Sequence, residues 1–508
     1  MKTHRTKLSR PSFFEIHDST YMLDRETGII VQIPRSDYSH LIDVLNNAFS
    51  ERDLAHLLNA KANSHEVSNP EFFKMLAKLH TCFGAFITYD VYSIKEPTEE
   101  EIFQLLYRYG FQELMLEVTT ACNMRCRYCV YSGIYRGFRT HSGSYMPLNT
   151  ALKAIDMYFR YIESGSEYNP LREPSIAFFG GEPLLNFNLI RNVVNYVKSK
   201  YLRDYKVQFV ISTNGTLLTD EVIDFLLLNS FIVNISLDGP QKEHDRNRIY
   251  SNGEGTFKVI MKNIEKMKER VMKLGLSKER IDVSFQVTFD LRSNLVKIWE
   301  FFKNCSIPTR VIGSVRSFGT EYYSQFSKED FEKFDDEANI LLNRFLAYVE
   351  NREYLNSPDI FFERFYGDKV RRNYYRPLLS RTPIYQYTRS CIPGYKIFVD
   401  SKGLLHPCEK TPTKILIGNV SKGLEVKLIK KIIYEYREKS LKTCYKCPIA
   451  YNCPACIAIL GLERNEENCD KLIKSFLKDA SLLIEVYRKN PKYFLETAFP
   501  EVNVNECL

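Results

Sequence analysis

Six apolar segments alternate with helical patterns between residues 113 and 315, and this alternation constrains the fold more than any other feature of the sequence. Strands that alternate with helices form a parallel sheet with right-handed crossovers. We therefore expect an α/β fold built on a partial or complete TIM-like (β/α)6 barrel, with its chemistry at the C-terminal ends of the strands. The predicted strands are Glu113–Val118, Ser175–Phe179, Val207–Ser212, Phe231–Ser236, Ile281–Thr288 and Thr309–Val315, and predicted helices between them cover 148–163, 187–200, 219–229 and 256–274.

The composition is that of a globular protein with several domains. Of the 508 residues, 44% are apolar and 26% are charged, which excludes collagen, coiled coil and wholesale disorder. No apolar run approaches the about 18 residues of a membrane span, and no apolar run of about 7–15 residues follows the basic start. We therefore expect a cytoplasmic protein without a membrane partner. The net charge of +8 does not by itself indicate nucleic acid.

Thirteen cysteines in a cytoplasmic chain need an explanation, because reducing conditions disfavour a disulfide scaffold. Three of them, Cys122, Cys126 and Cys129, follow the first predicted strand in a CxxxCxxC pattern. Thiolates are soft ligands that suit zinc or iron–sulfur clusters. A structural zinc site usually takes four protein ligands. Three cysteines without a fourth therefore favour a cubane cluster with one open iron over a chance group of buried thiols.

Three further motifs lie where the next predicted strands end. The motifs are Phe179-Gly180-Gly181-Glu182-Pro183, Ser212-Thr213-Asn214-Gly215, and Ser236-Leu237-Asp238-Gly239-Pro240 followed by His244-Asp245-Arg246-Asn247-Arg248. Taken alone, Gly180-Gly181 would indicate a tight turn and Arg248 a solvated charge. Together with the CxxxCxxC loop and the aromatic Tyr128 before its last cysteine, the order of these motifs resembles the radical S-adenosylmethionine (radical SAM) superfamily over residues 113–315.

The resemblance implies that the three cysteines bind a [4Fe–4S] cluster whose open iron is chelated by SAM. In that family the reduced cluster cleaves SAM to a 5′-deoxyadenosyl radical that abstracts hydrogen, while the protein supplies ligation and orientation. The GGEP backbone and Glu182 would receive the SAM ammonium, Ser236 and Asp238 the ribose hydroxyls, and Arg248 the SAM carboxylate. The implied SAM-binding residues are Tyr128, Gly180, Gly181, Glu182, Ser212, Asn214, Ser236, Asp238 and Arg248.

A second group of seven cysteines lies between residues 391 and 469. CxxC followed by CxxC is a strong metal pattern, with zinc and inert thiols as the alternatives. The group resembles the SPASM domain of peptide-modifying radical SAM enzymes, although two residues separate Cys453 from Cys456 where the usual pattern has three. The resemblance implies two auxiliary [4Fe–4S] clusters, three clusters in all, with one bound by Cys391, Cys408 and Cys456 and the other by Cys444, Cys447, Cys453 and Cys469.

Residues 1–95 are predicted to form a β-hairpin and three helices. This unit weakly resembles the winged-helix-like element with which peptide maturases bind a leader peptide, which would add as a strand at the hairpin edge. The alternative is a structural cap on the barrel. The other predicted segments are a linker at 96–110, the radical SAM core at 111–326, a helical and basic bridge at 327–390, the SPASM domain at 391–470, and a C-terminal helix and tail at 471–508.

The segment Arg364–Arg389 carries seven basic residues against one acidic residue, with five tyrosines interleaved. Mixed basic and aromatic residues can bind nucleic acid by phosphate pairing and base stacking. A solvated bridge between domains is the favoured interpretation, followed by an acidic-peptide site and then by nucleic acid.

These features predict a maturase that cross-links a ribosomally made precursor peptide, with flavodoxin or ferredoxin as the reductant. Two auxiliary clusters with full cysteine ligation need eight thiolates and the tail offers seven. The Cys391 cluster would then keep an open iron for a substrate thiolate, unless Cys305 or another group closes it. An open iron favours a thioether product over a carbon–carbon bond.

Other functions remain open at this stage. Asp290, just past the fifth predicted strand, is a candidate general base, although such a carboxylate is as often a helix cap. The main alternative is an anaerobic sulfatase-maturating enzyme, which makes formylglycine. A non-catalytic iron–sulfur electron-transfer or scaffold protein and a nucleic-acid-modifying enzyme are the further alternatives.

Overall fold

A computed structural model gives the fold in two compact units. The first unit contains residues 1–96, 372–390 and 433–484, and the second contains residues 97–371, 391–432 and 485–508. No helix in the described part of the chain is long and apolar enough to cross a membrane. The described residues are 6–25, 27–89, 93–94, 97–276, 282–375, 384–385, 391–444, 447–450, 452–458 and 466–497.

Strands and helices are numbered here in chain order. The strands are β1 (Thr6–Leu8), β2 (Ser12–Ile16), β3 (Ser19–Leu23), β4 (Ile30–Ile33), β5 (Ile87–Tyr89), β6 (Ser93–Ile94), β7 (Glu113–Thr119), β8 (Ser175–Gly180), β9 (Gln208–Thr213), β10 (Ile232–Ser236), β11 (Asp282–Phe289), β12 (Thr309–Ser314), β13 (Ile384–Tyr385), β14 (Lys396–Val399), β15 (Leu404–His406), β16 (Gly418–Asn419) and β17 (Gly423–Leu424). The helices are α1 (Tyr38–Asn47), α2 (Glu51–Ala62), α3 (Pro70–Phe83), α4 (Glu99–Tyr109), α5 (Leu148–Ser164), α6 (Phe187–Lys200), α7 (Asp220–Leu228), α8 (Gln241–Asn247), α9 (Phe257–Lys273), α10 (Leu295–Lys303), α11 (Lys328–Glu350), α12 (Ile360–Phe362), α13 (Asp368–Tyr374), α14 (Val426–Cys444), α15 (Glu466–Lys489) and α16 (Lys492–Glu496).

In the first unit, helices α1–α3 and the antiparallel sheet β2-β3-β4 share one apolar core. Ser50 caps α2, and Asn69 caps α3 ahead of Pro70 at its first position. The sequence predicted one hairpin and missed the turn between β2 and β3. At that turn His17 adopts a left-handed φ of 49°, a conformation usually signalled by glycine.

The second unit is built on a ten-stranded sheet in the order β12-β11-β10-β9-β8-β7-β14-β15-β16-β17. Strands β7 to β12 pair in parallel with their neighbours in the chain. Ile176, Ala177 and Phe178 of β8 are all buried, as expected for a strand that is covered on both faces. The predicted α/β class with a mainly parallel sheet is therefore confirmed, and each of the six predicted strands lies within one residue of its observed bounds.

Strand β14 extends this sheet beyond β7, which the sequence analysis did not predict. Ile397 lies opposite Leu114 and Val399 opposite Leu116 in parallel register, and β15 pairs back on β14 as the predicted hairpin. The hairpin therefore belongs to the sheet of the radical SAM core. The predicted SPASM domain at 391–470 contains segments of both compact units and stays a prediction.

The acidic residues 99–101 begin helix α4 instead of forming an extended linker. Thr98 accepts from the Glu101 amide while the Glu101 carboxylate accepts from the Thr98 amide, which is a capping box. Acidic side chains also interact favourably with the positive end of the helix dipole. The predicted linker at 96–110 is thus largely helical, and the border between the compact units lies at its start, after Glu96.

Two arginines in the described part of the basic segment form ion pairs within the second unit. Arg371 is buried and pairs with Glu363 and, at 2.8 Å, with Asp368, while Arg364 lies 3.3 Å from Asp368. These residues surround a π-helical turn at Glu363–Gly367. The choice among a bridge, a peptide site and a nucleic-acid site stays a prediction, because three of the basic residues lie outside the described residues: Arg376, Arg381 and Arg389.

Candidate active site

The CxxxCxxC loop (residues 122–129) begins three residues after β7, and it is held by backbone hydrogen bonds to the last residue of α8 and to the segment that follows α8. The Arg125 amide donates to the Ile249 carbonyl at 2.8 Å, and the Arg127 amide donates to the Asn247 carbonyl at 3.0 Å. Because β7 to β12 are parallel, this places the three thiols at the C-terminal edge of the sheet. The sequence predicts this position.

The three thiols are partly buried, and two of their sulfurs accept hydrogen bonds from the backbone. The Met124 amide donates to Cys122 Sγ and the Tyr131 amide donates to Cys129 Sγ, both at 3.4 Å. Burial raises the pKa of Cys122 to about 11 and the pKa of Cys126 to about 12, and it also raises the pKa of Cys129. Without a metal these thiols hold their protons, and a nearby metal charge is what would ionise them.

The GGEP segment approaches the end of β7 so closely that only glycine fits at two positions. A Cβ on Gly180 would lie 2.0 Å from the Thr119 carbonyl oxygen, and a Cβ on Gly181 would lie 2.1 Å from the Ala121 carbonyl oxygen. The Gly181 amide donates to Thr119 at 2.9 Å and the Glu182 amide donates to Ala121 at 2.8 Å. The close approach at these two glycines therefore holds the start of the cysteine loop against the end of β8. The SAM contact that is predicted for the glycines would be a further role.

Glu182 is fully buried, and its carboxylate joins the ends of β8 and β9. It accepts from the Leu184 amide at 3.0 Å, from the Thr213 hydroxyl at 2.7 Å and from the Asn214 amide at 2.7 Å. Burial raises the pKa of Glu182 to about 7, although these three donors favour the charged form. The three donors fix the Glu182 carboxylate in place, and the predicted bond from the SAM ammonium would be an additional contact.

Tyr128, Asp238 and Arg248 form a buried cluster next to Cys126. The Tyr128 hydroxyl and, at 2.9 Å, Arg248 Nε both donate to one carboxylate oxygen of Asp238, while the Thr288 amide donates to the other at 2.9 Å. The guanidinium carbon of Arg248 lies 5.4 Å from the centre of the Tyr128 ring, within range of a cation–π interaction. Against the effect of burial, Arg248 lowers the pKa of Cys126, so its positive charge acts on one of the three predicted cluster ligands.

The remaining predicted SAM contacts lie at the ends of β9 and β10. Asn214 Nδ2 donates to Asn123 Oδ1 at 2.9 Å and to Cys122 Sγ at 3.9 Å, so its amide is part of the cysteine site. Ser212 and Ser236 are partly exposed in β9 and β10. All the residues that were predicted to hold SAM thus lie at one end of one sheet.

The sequence model of the Radical SAM superfamily matches residues 116–277, which include the cysteine loop and the motifs after β8, β9 and β10. The chain is a radical SAM enzyme. The match confirms the family that the cysteine loop and the three motifs indicated.

The enzyme is related to the anaerobic sulfatase-maturating enzymes. It is 26% identical over 379 residues to a cysteine-type anaerobic sulfatase-maturating enzyme of Clostridium novyi (strain NT), across 70% of this chain and 88% of the relative. It is 27% identical over 327 residues to the radical SAM cyclopropyl synthase TigE of Paramaledivibacter caminithermalis, across 63% of this chain and 62% of TigE. The solved structure of native anSMEcpe with bound AdoMet and Cp18Cys peptide has a similar fold, with a TM-score of 0.53 and 19% identity across 76% of this chain and 99% of that chain.

The residues of this radical SAM enzyme fit the SAM and the [4Fe–4S] cluster that its family implies. Three thiols on one loop, N–H donors to two of the sulfurs and the cation of Arg248 are the ligands and the charge that an anionic thiolate cluster needs. A cavity of about 410 Å³ reaches Cys126, and it is also lined by Arg125, Arg127, Tyr131, Ser132, Thr140 and His141.

Asp290 lies at the end of β11, but its geometry does not favour a role as a general base. Both of its oxygens accept from Arg246 Nη1, at 2.7 and 2.8 Å, and Asn247 and Tyr322 donate to Oδ2 at 2.8 and 2.9 Å. Burial would raise the pKa of Asp290, but Arg246, Asn247 and Tyr322 outweigh burial and the pKa is lowered. We interpret Asp290 as an anchor that joins α8 to β11.

Four of the predicted auxiliary ligands lie close together in the first unit. After burial, the charges of Cys444, Cys453 and Cys469 contribute to raising the pKa of Cys447, which reaches about 11. Cys444 ends α14 and Cys469 lies in the first turn of α15. Within the described ranges, no three His, Cys, Asp or Glu side chains are close enough to hold a single metal ion. Shared ligation of one cluster by these four cysteines stays a prediction.

The other predicted auxiliary ligands are divided between the two units. Cys391 and Cys408 belong to the second unit, where Cys391 acts electrostatically on Tyr395 and Cys408 acts on Lys396, so both thiols lie near the start of β14. Cys456 belongs to the first unit. Their common cluster therefore also stays a prediction.

Proposed function

We propose that this radical SAM enzyme modifies a ribosomally made precursor peptide and installs a cross-link, with a thioether favoured over a carbon–carbon bond. The observation that carries the proposal is the convergence of the cysteine loop and the SAM motifs at one end of the sheet, together with seven more cysteines outside that core. The relatives support a peptide or protein substrate, because the solved relative holds a peptide and other relatives mature sulfatases.

When bound, SAM and the reduced cluster supply a 5′-deoxyadenosyl radical that abstracts hydrogen from the substrate. Cys122, Cys126 and Cys129 would hold the cluster. Arg248 would bind the SAM carboxylate while Asp238, which fixes its Nε, orients the guanidinium and offers an oxygen to the ribose. Burial of this group excludes water, which strengthens each charged contact.

The thioether is favoured because the described residues offer no evident closing cysteine for the auxiliary cluster near β14. Cys305 Sγ donates to the Phe301 carbonyl at 3.3 Å in the turn before β12. Five strands separate β12 from β14 in the sheet order, and Cys391 and Cys408 lie beside β14. An open iron there would bind a substrate thiol as the thiolate and hold its sulfur near the carbon radical.

The second candidate is an anaerobic sulfatase-maturating enzyme, and one observation favours it. The match to the Clostridium novyi enzyme covers 88% of that relative, so the two chains share most of their length. The first unit favours the peptide maturase, since its antiparallel sheet has β2 and β4 as edge strands on which a leader peptide could add. We propose a leader-bearing precursor peptide and a flavodoxin or ferredoxin as the partners.

Product analysis on the reconstituted enzyme separates the two candidates. The enzyme receives SAM, a reductant, and either a leader-bearing cysteine peptide encoded next to its gene or a cysteine-type sulfatase peptide. Loss of two hydrogen atoms together with loss of thiol alkylation supports a thioether. A carbonyl that reacts with hydrazine reveals formylglycine and overturns the maturase. If SAM is cleaved and both peptides stay unchanged, both proposals are wrong.

A further inference from the structure

Strand β7 carries a buried carboxylate within an otherwise apolar run. Glu117 accepts from the Tyr131 hydroxyl at 2.6 Å through Oε1 and from the Ser401 amide at 3.1 Å through Oε2. Arg139 Nε lies 3.3 Å from Oε1, and the two side chains are only 5% and 3% exposed. We name this ion pair, Glu117 with Arg139, the brace. Burying two charges is costly unless both are well bonded.

Arg139 extends from the loop after the cysteine loop to the hairpin of β14 and β15. Its Nη1 donates to the Glu409 carbonyl at 3.0 Å and to the Thr411 carbonyl at 3.2 Å, and its guanidinium carbon lies 4.2 Å from the centre of the Phe398 ring. Its Nη2 is buried and donates to no atom of the described residues. Because an unmet buried donor costs about 1–3 kcal/mol, either a water molecule or a bound group is expected to accept from it.

The neighbours of the brace touch both predicted cluster loops. On one side, the Tyr131 amide donates to Cys129 Sγ at 3.4 Å. On the other side, the Thr411 hydroxyl donates to the Cys408 carbonyl at 2.8 Å. All of these residues belong to the second unit. These contacts therefore form a buried chain from Cys129, a predicted ligand of the SAM cluster, to Cys408, a predicted auxiliary ligand.

We propose that Glu117 and Arg139 are positioning residues that set the cysteine loop relative to the Cys408 loop, and that Arg139 Nη2 donates a hydrogen bond to a sulfur of the cluster bound at Cys408. This inference rests on the auxiliary cluster of the proposed function. A hydrogen bond and a positive charge next to an anionic cluster stabilise its reduced form. The brace thereby tunes the auxiliary cluster as well as supporting it.

The test is a redox titration of the full-length enzyme, followed by electron paramagnetic resonance, with iron counted per chain. The variants are Arg139→Met, Arg139→Lys and Glu117→Gln. Arg172→Met is the matched control, because Arg172 is a partly buried arginine before β8 whose Nη2 donates to the Tyr107 carbonyl of α4, and neither residue is among the contacts of the brace given above. Cys408→Ala identifies the signal of the auxiliary cluster.

We expect Arg139→Met to keep the iron content and to make the auxiliary cluster about tenfold harder to reduce, a fall of about 59 mV for one electron. Glu117→Gln should move the potential upward, because it leaves the cation of Arg139 less compensated. Arg139→Lys should fall between wild type and Arg139→Met, and Arg172→Met should not move the potential. Loosened packing would not shift the reduction potential in opposite directions in Arg139→Met and Glu117→Gln.

Each adverse outcome has a distinct meaning. Equal potentials in wild type, Arg139→Met and Glu117→Gln overturn the tuning role. If Arg139→Met does not bind its clusters, the potentials of Arg139→Lys and Glu117→Gln decide instead. Potentials equal to that of the wild type then overturn the tuning role. If Cys408→Ala loses no iron and no signal, the auxiliary cluster of the proposed function is wrong, and the brace proposal falls with it.

Discussion

The SAM site and the auxiliary cysteines are built in opposite ways. At the predicted SAM site, the three predicted cluster ligands lie on one loop of eight residues, and the groups around them come from the ends of neighbouring strands in one unit. The predicted auxiliary ligands are spread over 79 residues, from 391 to 469, and fall into both compact units. A site on strand ends is fixed by the sheet before any metal binds, whereas ligands on separate segments depend on metal binding to fix their arrangement.

The largest expected effect separates the two regions directly. Replacing Cys122, Cys126 and Cys129 together by Ala should reduce SAM cleavage to background, because these are all the cysteines that are predicted to bind the SAM cluster. The matched variant, Cys444→Ala with Cys447→Ala, should keep SAM cleavage near the wild-type rate while it loses one cluster's worth of iron. Production of 5′-deoxyadenosine and iron content measure both results. Equal loss of SAM cleavage in both variants would contradict the contrast.

A second test probes how firmly the SAM site is fixed. Asp238→Asn leaves the Arg248 guanidinium buried without its anion, and breaking a buried pair costs about 3–5 kcal/mol. We expect a lower denaturation midpoint in the protein without metal, together with weaker SAM binding. Urea titration and SAM equilibrium binding check the two effects. A midpoint that stays at the wild-type value would show that the site is not fixed in advance.

The pH dependence of the free energy of unfolding tests whether Asp290 anchors α8 to β11. Its pKa is lowered in the folded protein, so its contribution to stability is complete above the ordinary value of 3.8 and is lost as the pH falls through the folded value. Asp290→Asn should therefore reduce stability near neutral pH and flatten the acid dependence below pH 3.8. If Asp290 is an anchor, SAM cleavage per loaded enzyme stays unchanged. A base would instead show lost peptide turnover with unchanged stability.

The smallest expected effect concerns the first unit. Phe13, on edge strand β2, is 36% exposed, while Phe49, which lies outside the sheet, is 87% exposed. Phe13→Ser should weaken leader binding by about tenfold, or about 1.4 kcal/mol, and Phe49→Ser should leave it unchanged. Fluorescence anisotropy with a labelled leader peptide measures both, and equal affinities would favour a structural cap.

The sequence predicted the six core strands and the positions of the SAM motifs well, because each motif is short and lies next to a strand end. It did not predict the bonds of the charged residues. The position of Asp290 after a strand predicts a candidate base, whereas Arg246 and Tyr322, 44 and 32 residues away, donate to its carboxylate. Glu117 differed from its apolar neighbours only by its charge, and its partner Arg139 lies on a separate loop. Such pairings depend on which residues the fold brings together. The periodicity of a short segment does not give that information.

The pairing of β14 with β7 has a consequence for how this protein can be divided. A chain that ends after residue 390 would lack β14, and β7 would then present a row of unpaired backbone N–H and C=O groups along the strand that leads into the cysteine loop. Exposed edges of this kind recruit other chains and promote aggregation. The hairpin therefore protects the solubility of the catalytic core, and a minimal core fragment has to retain residues through at least β15.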